Sequence, residues 1–204
     1  MNPLSAPHTY GMLAAPRAYG MRVVGEGVAV APDLSAVRPR QKASLYADPL
    51  SWLVLDAVEQ ALGACGGDVA PADAWAKDGV GHIAVSDLCT THTMRQLAGA
   101  IAEGRFSPLR FSGANPGSIC SLPSQLLGFS GPTMTLSMPP EEGLPPALAV
   151  ARAWLRQDCA TRVIVTAHRA DAASGHRVTS TILTADTADT ADTTGTTGTT
   201  GGPE

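Results

Sequence analysis

The chain has 204 residues, a formal net charge of −4 at pH 7, and 44% hydrophobic residues of which few are aromatic. That is enough apolar mass for one core built from Ala, Val, Leu and Ile. No run of Lys or Arg supplies an electrostatic footprint for nucleic acid, so that partner class is set aside. The longest apolar stretches, such as Trp52–Leu55 and Val163–Val165, fall far short of the ~20 residues of a membrane span.

The N-terminus, Met1–Tyr19, carries three prolines and no continuous apolar stretch. It does not read as a secretory signal, and a cytoplasmic location is expected. The four cysteines, Cys65, Cys89, Cys120 and Cys159, form no CxxC pair. They are expected to be buried thiols in a reducing compartment. His8, His82, His92, His168 and His176 show no HxxxH or HExxH spacing, so no metal or other cofactor is expected.

An irregular leader over residues 1–20 precedes Arg22–Val30, a strand interrupted by two glycines. The Pro-rich connector Ala31–Lys42 leads to a helix that Asp48 caps and Pro49 opens. Its apolar residues Leu50, Leu53, Val54, Val58, Ala61 and Leu62 repeat at helical spacing up to Gly63–Gly67. Gly79–Ser86 predicts a buried strand, and a helix follows from about Thr91 to Glu103. Arg105–Gly113 reads as a loop, after which Asn115 and Pro116 open a helix that Gly128 closes.

Met134–Ser137 predicts a short strand, and a Pro-rich turn separates it from a helix over Leu144–Arg156. Arg162–Ala167 is the clearest buried strand, and Val178–Ala185 a half-exposed one. This alternation predicts an α/β fold with a mixed sheet flanked by helices, in a domain spanning residues 21–185. Ala185–Thr193 repeats Ala-Asp-Thr three times, and Thr and Gly alone make up Thr194–Gly202. Residues 186–204 are therefore expected to be a disordered tail.

Gly131–Gly143 (GPTMTLSMPPEEG) and the preceding Phe111–Gly131 (FSGANPGSICSLPSQLLGFSG) resemble the nucleophile turn, and the helix before it, of β-ketoacyl synthases. Arg22–Val30 is similar to the opening Gly-rich strand of that family, Leu53–Leu62 to its Ala-rich helix, and Ala151–Ala167 to the helix and strand after the nucleophile. The resemblance covers roughly residues 21–185 and points to the short, chain-length-factor-like members associated with type II polyketide and aryl polyene genes. It implies one half of a thiolase-like pair of repeats, and a role in polyketide or fatty-acid-like biosynthesis.

The same resemblance places Pro140 where a ketosynthase carries its reactive Cys. Such an enzyme needs a thiolate at a helix start and backbone N–H groups around the oxyanion. Pro140 has neither, and Pro139 lacks a second N–H. The family's two histidines and lysine belong to a C-terminal half, before which this sequence is expected to end. The expectation is a non-catalytic accessory protein, with no catalytic residue at this turn. Its partners would be an active ketosynthase-like subunit or a second copy, and an acyl carrier protein.

The alternative is a divergent acyltransferase or decarboxylase that uses Glu141, Glu142 or Cys120 with His168. Glu141 and Glu142 have a simpler explanation as carboxylates facing the positive end of a helix dipole. Cys120 lies among Ile119, Leu122 and Leu126 at helical spacing and reads as a core or interface residue. His82, inside an apolar strand, reads as a core histidine. His168, expected just after a strand, has no sequence neighbour that would define a mechanism. Ser86 and Ser137 read as the polar ends of strands, without a GxSxG elbow around them.

Overall fold

A computed structural model describes residues 16–41, 46–65, 79–105 and 108–186. The expected tail lies outside these residues apart from Asp186, and of the expected leader only residues 16–20 fall inside them. Strand β1 (Met21–Ala31) is followed by a single 3-10 turn (Leu34–Ala36), helix α1 (Pro49–Gly63), strand β2 (Val80–Val85), and helices α2 (Thr91–Ala102), α3 (Pro108–Ser112) and α4 (Ser118–Leu127). Strand β3 (Thr133–Leu136), helix α5 (Pro140–Arg156) and the hairpin of β4 (Arg162–Asp171) and β5 (Gly175–Ala185) complete the order.

The five strands form one sheet in the order β1-β5-β4-β2-β3. β3, β2 and β4 are parallel, and β5 is antiparallel to both β4 and β1. Four strands therefore run one way and β5 runs against them. This is the mixed α/β sheet that the alternation of elements predicts.

One face of the sheet packs on α1 and α4. Leu50, Leu53, Val54, Ala57, Val58 and Ala61 of α1 and Ile119 of α4 meet Val80, Ala84, Ile164 and Ile182. α1 is buried almost all round, because Trp52 and Leu55 on its other side pack against Leu122 of α4. Each of the Leu, Val and Ile side chains so withdrawn from water contributes about 1.5–3 kcal/mol before entropy is counted. The two glycines in β1 have a steric cause: a Cβ on Gly25 would lie 2.3 Å from the Ala61 carbonyl oxygen, and one on Gly27 2.1 Å from that of Ala57. The other face packs on α5, with Ala147, Leu148 and Ala151 against Ile83, Val85, Val163, Val165 and Leu183.

Four expectations are corrected. Arg105–Gly113 is not all loop, since Pro108–Ser112 forms a helical turn. It buries no residue and so leaves no periodic apolar signal. α4 starts at Ser118, two to three residues after the expected Asn115–Pro116 opening, while the Asn115 Oδ1 accepts the Gly117 N–H at 2.9 Å. α5 starts at Pro140 and not at Leu144, because Pro suits the first helical position. β5 is largely buried and not half-exposed, since it lies between β1 and β4.

The expected burial of all four cysteines is also corrected: Cys89 and Cys120 are buried, but Cys65 is half-buried and Cys159 is exposed. All four are free thiols. No described helix is long and apolar enough to cross a membrane.

Candidate functional site

Period-two alternation puts polar side chains on the α1 side of the sheet, in two rows that cross β2, β4 and β5. In the inner row the His82 Nε2 is hydrogen-bonded to Thr166 Oγ1 at 2.9 Å, and Thr166 Oγ1 to Ser180 Oγ at 2.8 Å. All three residues are buried. Burial lowers the His82 pKa to about 4, so the ring is neutral at neutral pH.

The outer row lies at the carboxyl ends of the parallel strands, where α/β sheets present their functional groups. Ser86 follows β2, His168 lies in β4 and His176 in β5. Ser86 Oγ is 2.8 Å from His168 Nδ1, and His168 Nε2 is 3.0 Å from His176 Nδ1. The two imidazoles stack with centroids 5.2 Å apart and planes 8° apart. Burial, then the His176 charge, holds the His168 pKa down to about 4. The row ends at half-buried His176, whose pKa is also lowered, by burial first, with Asp33 opposing.

A short polar turn extends this row toward β3. Cys89 adopts a φ of 43°, in the left-handed region where few non-glycine residues sit. Its N–H donates to Ser86 Oγ at 2.9 Å, and its thiol donates to the Ser86 carbonyl at 3.0 Å. The Cys89 Sγ is also 3.3 Å from Ser137 Oγ, at the end of β3. A continuous polar path thus runs from exposed Ser137 through buried Cys89, Ser86 and His168 to His176.

Ser86 and His168 have the spacing of a nucleophile and its base. Ser86 is fully buried, however, and its oxygen already accepts the Cys89 N–H. Burial raises the Cys89 pKa, against hydrogen bonds from Ser137 and Ser86. A protonated, enclosed thiol is a poor nucleophile.

The residues singled out from the sequence fall as follows. Cys120 is buried in α4, its thiol donates to the Met134 carbonyl at 3.1 Å, and burial pushes its pKa up to about 12. Among the described residues no hydrogen bond joins Cys120 to His168, and the cysteine connected to the His168 row is Cys89. His168 lies inside β4, opposite Val178, and not after the strand as expected. The Glu141 carboxylate pairs with Arg169 at 3.1 Å, with both side chains exposed, and Glu142 is exposed too.

Pro140 is buried at the first position of α5. Of the next three donors two are engaged: Glu142 N–H and Gly143 N–H both reach the Pro139 carbonyl, at 3.0 and 2.9 Å. With no N–H on Pro139 or Pro140, only the Glu141 N–H of this helix start has no intrahelical use. The glycines of the turn are tightly packed. A Cβ on Gly131 would lie 2.4 Å from the Val80 carbonyl carbon, and one on Gly143 2.3 Å from Val85 Cγ1.

Cys89 and His176 were not singled out from the sequence as site residues. The signal that could have found His176 is alternation: His82 and Ser86, Thr166 and His168, and His176 and Ser180 each sit an even number of positions apart on one strand path. Among the described residues no group of three His, Cys, Asp or Glu is arranged to hold a metal ion.

No protein-family model matches the chain, and no curated protein matches it either. Solved structures do. The ishigamide ketosynthase/chain length factor superposes with a TM-score of 0.64 at 14% identity, over 85% of this chain and 63% of that one. A ketosynthase in complex with its chain length factor from Xenorhabdus doucetiae gives 0.53 at 13% identity, over 81% of this chain and 79% of that one. A type II PKS acyl-carrier protein in complex with its ketosynthase bound to the hexaketide gives 0.56 at 16% identity, over 81% and 63%. The chain thus spans just under two thirds of the ishigamide protein it matches. By fold it is a thiolase-like α/β domain of the kind found in β-ketoacyl synthases and chain length factors.

Proposed function

We propose that this chain is a non-catalytic, ketosynthase-like accessory protein of polyketide or fatty-acid-like biosynthesis, which pairs with an active ketosynthase-like subunit. The observation that carries this reading is the β3-to-α5 turn. Pro139 and Pro140 fill its helix start, which offers no thiol and only one backbone N–H without an intrahelical use, that of Glu141. Acyl transfer at that helix start would need both a nucleophile and a formed oxyanion hole.

The turn keeps its packing while lacking that chemistry. Gly131 and Gly143 remain where a side chain would collide with β2, so the segment still docks β3 and α5 on the sheet. The likeness to ketosynthase and chain length factor structures, one solved as a complex of the two, supports pairing as the retained role. An acyl carrier protein is the second partner of this reading, supported by the likeness to a ketosynthase solved with one.

Co-expression with a catalytically active ketosynthase of the type II class, followed by light scattering, tests the pairing. A stable complex is expected, and a strictly monomeric, partner-free chain would overturn it. Incubation with malonyl- or acyl-loaded carrier protein tests the absence of catalysis. Intact mass should show no covalent acyl adduct and no loss of carbon dioxide from the carrier; either one would restore the acyltransferase or decarboxylase alternative.

A further inference from the structure

We propose that the His168–His176 contact is an acid-operated latch, which ties the start of β5 to β4 within their hairpin and opens when both imidazoles are protonated. The inference is independent of the ketosynthase-like reading. It rests on how many protons a row of two imidazoles and one hydroxyl can hold.

A neutral imidazole has one N–H and one bare nitrogen. With both rings neutral, the row is satisfied in either direction. The Ser86 hydroxyl can donate to His168 Nδ1 while His168 Nε2–H donates to His176 Nδ1, or every donor can reverse. One added proton is tolerated as well. A doubly protonated His168 donates through Nδ1 to Ser86 Oγ and through Nε2 to the bare Nδ1 of His176.

The second proton has no such place. It puts an N–H on His176 Nδ1 against the N–H on His168 Nε2, and sets two positive rings in a parallel stack at 5.2 Å. Like charges at that separation repel, and a buried donor facing a donor is left unsatisfied. His176 is the ring that can leave, because it is half-buried whereas His168 is enclosed.

The charged groups around the pair come from several elements. Asp87, in the turn after β2, favours a charge on His168. Asp33 and Asp48 favour a charge on His176, and His92 of α2 opposes it. Arg169 and Arg177 stand opposite each other in the register of the same hairpin, but alternation directs them to the other face of the sheet. The Ser86–His168 bond survives opening, because His168 Nδ1–H still donates to Ser86 Oγ, so the turns after β2 and β3, joined to it through Cys89 and Ser137, stay in place.

Hydrogen exchange of the full chain with peptide-level mass readout, corrected for intrinsic rates, tests this between about pH 7.5 and about pH 3.5. In the wild type, peptides covering residues 169–178 should lose protection by at least about tenfold, while peptides covering residues 86–92 and those of α1 and α5 stay protected. His176→Gln, which cannot titrate, should abolish that pH-dependent loss, and His92→Gln should keep it. The same loss in His176→Gln, or no local loss in the wild type before global unfolding, overturns the proposal. If His176→Gln is already unprotected at neutral pH, the wild-type His176 ring resonances decide. A titration step coinciding with the loss of protection supports the latch, and loss of protection without one overturns it.

Discussion

Asp48 and Thr93 are 45 residues apart in the chain, yet a carboxylate oxygen of Asp48 accepts the Thr93 N–H at 3.0 Å in the first turn of α2. The other oxygen accepts the Leu50 N–H at 2.8 Å and caps α1. One fully buried side chain therefore satisfies orphan donors at two helix starts. Ser86 and Thr90 lie just ahead of α2, so the same carboxylate helps to place the outer polar row.

Asp48→Ala leaves two buried N–H groups without acceptors, and the expected cost is about 2–4 kcal/mol. Asp48→Asn keeps one acceptor oxygen and should cost roughly half as much. Urea unfolding followed by circular dichroism measures both. An Asp48→Asn variant as stable as the wild type would mean that the carboxylate serves only one of the helices.

Two classes of glycine should respond in opposite directions. Gly27→Ala forces a Cβ into the Ala57 carbonyl of α1, and separating β1 from that helix should cost at least about 3 kcal/mol. Gly99, inside α2, has no atom within 4 Å of its would-be Cβ, so Gly99→Ala should stabilise by about 0.5–1 kcal/mol through helix propensity. Thermal melts of the two variants provide the comparison, and destabilisation by Gly99→Ala would contradict the open space seen there.

Elements that bury an apolar face were legible in the sequence. The caps and spacing of α1, and the β-branched runs of β2 and β4, follow from local rules that tertiary packing reinforces. α3 was not legible because it buries nothing. The start of α5 was hidden because its prolines read as a breaker, although Pro140 occupies the one helical position that suits proline. In the candidate site, the prolines at the start of α5 could be read from the motif, but the partners of His168 could not. Ser86, His168 and His176 are brought together by strand register, at sequence separations of 82 and 8 for the two hydrogen-bonded pairs.

The thiols should divide by exposure. Cys159 is exposed and should be alkylated by iodoacetamide in the native protein, whereas Cys120, buried and pushed up to about 12, should react only after denaturation. Cys89 should follow Cys120, since burial raises its pKa as well. Peptide mapping after timed labelling would show the order. Rapid native modification of Cys120 would reveal an activated thiol and reopen its catalytic candidacy.

His82 makes stability depend on pH in a defined direction. Its pKa falls from 6.5 to about 4 on folding, mainly through burial, so between those values the unfolded chain binds the proton that the folded chain excludes. The stabilisation is fully present above about pH 6.5 and is lost as pH falls toward about 4, where it levels off; its full size is on the order of 3 kcal/mol. His168 has the same direction and the same lower limit. His82→Gln removes the titrating group, so the stability difference between wild type and variant should shrink as pH is lowered through this window. Urea midpoints at several pH values measure that difference. A gap constant with pH would show that His82 is not the residue excluding the proton, and would move the acid sensitivity of the fold to the outer row.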